Sequence, residues 1–359
     1  MLQTRSPKVL IVRVGAMGDV LHGLPAVAAL RKRLPECFIG WAIEPRWKDL
    51  LPAATRDGQV VVDRIHLVPT REWKQKPFSV GTLRQIAALR RELKAEEYDL
   101  CVDLQGSIRS ATIGRMAEAK SYFGPRKPAE RQAKAFYRER VDVSEEHVID
   151  QACELVQAAL RSWLGSEEKL QPAAITLPVN PEARDWCDLK LKELGIGADG
   201  FVLLSPAAGW GSKVWPAIKY RELAARLRAE GYRVLVNGGG LADLVVADAV
   251  AAGGDATVVR SSMAELIELI RRARVVIGGD SGPMHMAAAL GRSVISLFGP
   301  TDPKRNGPYF PGSRVQVLRH ATSRLSRARL SETEAGLSRI GVDEVLAAFA
   351  MLKEEHHDG

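Results

Sequence analysis

Residues 273–303, ARVVIGGDSGPMHMAAALGRSVISLFGPTDP, leave the chain few folding options. The apolar run Val275-Val276-Ile277 reads as a buried strand, Gly278-Gly279 as a turn, and Pro283 to Leu290 as a helix with Asp280 or Ser281 at its N-cap. A second apolar strand, Ser293 to Phe298, follows directly. Strand, glycine turn, helix and strand make half of a βαβ unit, and a helix N-terminus flanked by glycines presents backbone N–H groups suited to phosphate.

The same alternation runs through the rest of the chain. Lys8 to Val14 is an apolar strand, Gly15-Ala16-Met17-Gly18-Asp19 a turn, and Val20 to Leu34 a helix, the opening of a doubly wound domain. Phe38–Ile43, Val60–Val68 and Asp99–Leu104 read as further strands, with helices over 81–94, 107–119 and 148–164. The segment TREWKQKPF, 70–78, interrupts the pattern with cations and aromatics. Pro172, Pro178 and Pro181 punctuate a boundary between domains. Beyond it come a strand at 201–205, a loop to Pro216, a helix to Glu230, a strand at 233–237, Gly238-Gly239-Gly240 and another helix. Past Arg314 the pattern predicts a loop carrying Arg319, Arg324, Arg327, Arg329 and Arg339, then a last helix over 342–353. The expected architecture is two successive βα domains with a cleft between them, and 359 residues suffice for two cores.

The net charge of +8 points to a polyanionic partner, whether nucleic acid, anionic lipid or phosphorylated glycan. Cys37, Cys101, Cys153 and Cys187 are scattered without a CxxC pair, so neither a zinc site nor a disulfide framework is indicated and a reducing cytoplasm is the default. No signal-peptide pattern and no run of membrane-spanning length is present, so any membrane contact is expected to be peripheral.

Several side chains carry two readings. Asp19 follows a glycine turn at a strand's carboxyl end, where it is either a general base or an N-cap aspartate. In SPAAGWGSKVWP, 205–216, Gly209 and Gly211 permit close backbone approach, and Lys213 is either the neutraliser of a leaving phosphate or a solvated surface lysine. Trp210 and Trp215 favour ligand surface there. The spacing is not that of a P-loop, and no GxGxxG supports a dinucleotide site. Asp243 is a ribose acceptor or a cap, and His285 a ligand or a packed histidine. Arg71, Lys74, Lys76 and the basic stretch from Arg126 to Arg140, with Trp73 and Phe78 interleaved, read as solvated charge or as a surface for an anionic ligand or membrane. There is no DxD and no metal-ligand spacing.

The strings VGAMGDVLHGLPA (14–26), AAGWGSKVWP (207–216), GGDSGPMHMAAALG (278–291) and FGPTDP (298–303) resemble, in order and spacing over nearly the whole chain, the ADP-heptose glycosyltransferases of family 9 that build the lipopolysaccharide inner core. The GDVLH-x-LPA form, the TREWKQKPF segment and VDLQG are most similar to the members that add the first heptose to Kdo on lipid A. The resemblance implies a GT-B fold, two Rossmann-like domains facing across a cleft, with the C-terminal helix crossing back to the first. It divides the chain into an acceptor domain (1–172), an ADP-sugar domain (173–330) and a C-terminal helix packed on the acceptor domain (331–359). It also implies an inverting, metal-independent reaction without a cofactor, at the cytoplasmic face of the inner membrane and without nucleic acid.

By position, the resemblance makes Asp19 the base for the acceptor hydroxyl and Lys213 the partner of the departing diphosphate. Gly279, Asp280, Ser281 and Gly282 become the donor-binding turn, joined by Gly18, Gly209, His285, Ser261 at the adenine and Asp243 at the ribose. Arg71, Lys74, Lys76, Gln105 and Arg126 fall to the acceptor. Where some members place threonine hydroxyls on the phosphates this chain has Ala208 and Gly209, and Gly238-Gly239 replaces the usual tryptophan-glycine before the ribose acid. The rival readings are a second type of heptosyltransferase or another nucleotide-sugar transferase, an inactive glycolipid-binding module, and an NAD-linked oxidoreductase.

Overall fold

The computed structural model describes residues 5–197, 200–310, 312–326 and 328–354, so Arg327 lies outside the described residues. It divides into two units, Met1–Pro178 and Val179–Gly359.

The first unit contains β1 (Lys8–Val12), α1 (Met17–Arg33), β2 (Phe38–Ile43), β3 (Ala54–Thr55), β4 (Arg64–Leu67), α2 (Thr70–Gln75), α3 (Val80–Ala95), β5 (Leu100–Asp103), α4 (Ile108–Met116), β6 (Ser121–Pro125), β7 (Glu139–Val141), α5 (Val148–Leu164) and β8 (Ile175–Thr176). Six strands form one parallel sheet in the order β4-β2-β1-β5-β6-β7. The apolar runs become β1 and β5 because both faces of a parallel sheet are covered, and β5 is buried at every position. The second unit contains α6 (Pro181–Glu193), β9 (Phe201–Ser205), α7 (Ala217–Ala229), β10 (Val234–Gly238), α8 (Leu241–Ala251), β11 (Thr257–Arg260), α9 (Met263–Arg272), β12 (Ala273–Gly279), α10 (Gly282–Ala289), β13 (Ser293–Phe298), α11 (Pro303–Asn306), β14 (Val315–Arg319) and α12 (Val342–Glu354). Its parallel sheet runs β11-β10-β9-β12-β13-β14.

Both sheets have the same winding. Each starts at an inner strand, builds outward twice, then returns to the other side of the first strand, so the order reverses between β1 and β5 and again between β9 and β12. In such sheets the chain departs to opposite faces at the reversal, which leaves a crevice at the carboxyl ends of the two strands where ligands bind. Asp19 and Gln105 follow β1 and β5; Lys213 and Asp280 follow β9 and β12.

Two expectations change. Residues 70–75 are the short helix α2, and Trp73 packs against the first unit's core while its Nε1 donates to Gln85 Oε1 at 2.8 Å, so TREWKQ is no open loop. The boundary moves from 172 to 178 because the chain after α5 returns to the first unit: Ala173 N donates to Pro25 O, and β8 pairs antiparallel with β3. Val345, Ala348, Phe349 and Leu352 recur at helical spacing and enter the core cluster of Trp215, Tyr220 and Leu223, so α12 commits its apolar stripe to the second unit.

Candidate functional site

Asp280 is the centre of the second unit's site. β12 pairs with β9 as far as Gly278 opposite Ser205, and the next two residues turn out of the sheet into α10. Glycine is required here by close approach: a Cβ on Gly279 would lie 2.5 Å from the Lys213 carbonyl oxygen, and one on Gly278 would lie 2.5 Å from that of Ser205. The turn therefore holds the Lys213 loop directly against Asp280.

The Asp280 side chain is 6% exposed. Its Oδ2 accepts from Lys213 Nζ at 2.5 Å and from Thr301 Oγ1 at 2.7 Å, and His285 Nε2 lies 3.4 Å from Oδ1. Burial pushes the carboxyl up, but His285 and the Lys213 ammonium outweigh it and hold the group well below the usual carboxylate range. Lys213, 12% exposed, is thus a positioned cation rather than a solvated one. Its Nζ also lies 4.3 Å from the centre of the Trp210 ring.

Among the described residues the buried Ser212 Oγ, Ser281 Oγ and Trp210 Nε1 beside this pair have no partner, nor does Ser261 Oγ beyond the end of the edge strand β11. Ser281 is the N-cap of α10 but its side chain makes no cap bond, so that hydroxyl and the helix N-terminus stay available to an anion. Gly209 is exposed and open, with no atom within 4 Å of where its Cβ would be. Gly282 is the first residue of α10. Asp243 takes the capping role: its carboxylate accepts from Gly240 N at 3.0 Å at the start of α8. Trp215 was expected on ligand surface and is instead fully buried, its Nε1 donating to Ile340 O at 3.1 Å and its ring set edge-on to Tyr220.

In the first unit Asp19 sits in the first turn of α1, after Gly18. Its Oδ2 accepts from Ala16 N at 2.9 Å and its Oδ1 pairs with Arg13 at 2.7 Å, while 45% of the side chain remains exposed. The carboxylate thus braces the start of the helix from its first turn and still faces solvent. Gln105 braces the same end of the sheet, accepting from Val14 N through Oε1 and donating to Ser107 Oγ. Arg71, Lys74 and Lys76 are exposed on and just beyond α2, next to Phe78, which is 91% exposed. Arg126 stands apart from them, paired with Asp142 at 2.6 Å. Sequence reasoning passed over Arg13 and Thr301, whose partnerships join residues distant or unremarked in the chain; Thr301 stood inside the quoted FGPTDP string.

The second unit thus carries a buried, ion-paired acid at its sheet reversal, and the first a half-exposed acid at its own. The model of glycosyltransferase family 9 (heptosyltransferase) matches residues 86–334. The chain belongs to this family. As a family 9 member it is a glycosyltransferase, and its two doubly wound domains match the GT-B structures of heptosyltransferases. It is similar to lipopolysaccharide heptosyltransferase 1 of Pseudomonas aeruginosa, 28% identical over 84% of this chain and 81% of the relative. It is equally similar to that of Salmonella typhimurium, 28% identical over 84% of this chain and 91% of the relative. The solved structure of E. coli heptosyltransferase WaaC with ADP superposes with a TM-score of 0.74 at 25% identity, covering 96% of this chain and 99% of WaaC. No described helix of this family 9 chain is long and apolar enough to cross a membrane.

Proposed function

We propose that the protein is a type I heptosyltransferase that moves L-glycero-D-manno-heptose from ADP-heptose to a Kdo hydroxyl of Kdo-lipid A with inversion. The observation that carries the reading is the Lys213–Asp280 pair at the β9/β12 reversal, beside the α10 N-terminus. The similarity to type 1 enzymes and to WaaC, solved with ADP and with ADP-2-deoxy-2-fluoro heptose, supports the same donor.

In this reading the second unit binds the donor. Asp280, kept ionised by Lys213, accepts hydrogen bonds from sugar hydroxyls, and Ser281, Gly282 and the α10 N–H groups meet the diphosphate. Ser261 lies at the adenine, and Asp243 at the ribose with the carboxylate oxygen its cap bond leaves over. As the bond between the anomeric carbon and the β-phosphate oxygen breaks, charge grows on the diphosphate, and Lys213 neutralises it. The first unit supplies the acceptor side: Asp19 takes the proton of the Kdo hydroxyl as its oxygen attacks the anomeric carbon, with Arg13 holding the carboxylate in place. Gln105, Arg71, Lys74, Lys76 and Arg126 receive the acceptor's carboxylates and phosphates. Phe78, Val80 and Leu83, all exposed beside those cations, support peripheral attachment to the anionic cytoplasmic face of the inner membrane.

The test is ADP release by the purified protein from ADP-heptose with and without Kdo-lipid A. Release that requires the acceptor supports the proposal, whereas no release from any ADP-sugar points to a binding module. Stabilisation by UDP in place of ADP would assign another donor. Asp19→Ala is expected to bind ADP-heptose within about threefold of wild type while turnover falls by about 10²–10⁴. Turnover near wild type in that variant removes Asp19 from the role of base.

A further inference from the structure

Residues 328–334, part of the stretch that the sequence marks only as an arginine-rich loop, form a strap bound along the Lys213 loop. Ser212 N donates to Leu330 O at 3.0 Å, and Glu334 N donates back to Ser212 O at 3.2 Å. Thr333 Oγ1 donates to Val214 O at 2.8 Å. The packing is tight enough that a Cβ on Gly211 would lie 1.8 Å from Ser331 O. Just upstream, Ser326 N donates to Pro300 O, next to the Thr301 that binds Asp280. The strap region thus ties together the loops that supply two of Asp280's partners.

The strap delivers Arg329 to the site. Its guanidinium carbon lies 5.2 Å from the centre of the Trp210 ring, the ring that Lys213 already approaches. Lys213 has its counter-charge in Asp280, whereas Arg329 makes no ion pair among the described residues. An indole face offsets only a small part of a cation's charge at an exposed site. Holding a second cation there without a carboxylate makes sense when an anion completes the arrangement. Trp210 Nε1 and the hydroxyl of Ser212, itself 3% exposed, are the nearby donors without a partner. Two cations, an indole N–H and a hydroxyl around one ring match a diphosphate, and a guanidinium fork can bind phosphate oxygens in pairs. Ala208 and Gly209 contribute no side-chain donor of their own.

We propose that Arg329 is a second cationic contact to the donor's diphosphate, carried to the Lys213 loop by the strap. The proposal rests on the nucleotide-donor reading above. Its test is calorimetric titration of ADP, and separately of inorganic pyrophosphate, into the full-length wild type and its R329Q, R329K and R324Q variants. Arg329→Gln is expected to weaken both ligands by about tenfold. Arg329→Lys should recover part of that loss, and Arg324→Gln, an exposed strap-region arginine away from Trp210, should bind as wild type. In turnover, Arg329→Gln should raise the donor KM while kcat changes by less than about threefold. Because Arg329 is exposed and makes no ion pair among the described residues, its variants should melt close to the wild type. If Arg329→Gln binds ADP and pyrophosphate as tightly as wild type, the proposal fails and the donor reading stands. If the wild type binds pyrophosphate through Arg329 but not ADP, the anion site stands and the adenine reading fails. If the wild type binds neither, both fail.

Discussion

Asp280 is the side chain that holds the Lys213 and Thr301 loops together, and its environment makes it testable without substrate. A carboxyl held below its ordinary value stabilises the fold fully above the unfolded-chain pKa of about 3.9 and loses that contribution as pH falls toward the folded value. The second unit should therefore lose stability from about pH 4 downward, and Asp280→Asn should flatten that limb of an acid titration followed by circular dichroism. The same variant leaves Lys213 without its counter-charge in a largely buried position, at a cost of about 3–5 kcal/mol at neutral pH. A denaturation midpoint equal to wild type would mean the pair does not carry that weight. Residue roles were only partly legible in advance. Lys213 and Asp280 stand in glycine-bracketed turns that mark them, but nothing local says they touch, since 67 residues separate them. Trp215 was misplaced because its neighbours look like loop; the helix that buries it lies more than a hundred residues away in the chain.

At the level of elements, the glycines in the β12 turn are positional requirements. Gly279→Ala puts a methyl group 2.5 Å from the Lys213 carbonyl, so the loop must retreat. Overpacking of this kind costs about 1–3 kcal/mol, and ADP affinity should fall together with thermal stability. An alanine variant with unchanged ADP affinity would show that the loop has room to move. The buried strands β1, β5, β9, β12 and β13 were readable because a sheet covered on both faces demands continuous apolar runs. β14 was not: it is an edge strand with partly exposed residues throughout, VQVLR, and carries no such run. α2 was missed for a related reason. Six residues rich in charge give no amphipathic period, and only the burial of Trp73 against the core shows what holds the turn.

Each unit of the whole molecule has its own sheet and its own apolar cluster. Residues 179–359 expressed alone should fold and bind ADP while catalysing no transfer, because Asp19 belongs to the other unit. Calorimetry on that fragment decides the matter: loss of ADP binding in a folded fragment would show that the nucleotide needs the first unit as well. In the intact chain, ADP at a hundred times its Kd should raise the stability of the second unit's transition by about 2.7 kcal/mol. The division into two α/β domains was legible from the repeated strand–glycine–helix alternation. The destination of α12 was not, because an apolar stripe announces that a helix packs without naming its partner.

The strap also sets a schedule for biosynthesis. Thr333, which clamps the Lys213 loop at Val214, is made 119 residues after its partner. At ribosomal rates of about 5–20 residues per second, the loop spends roughly 6–24 seconds outside its final clamp. The clamp on the Lys213 loop therefore closes only after every strand of both sheets has been translated, so the loop waits for a segment made later than the sheet that carries it.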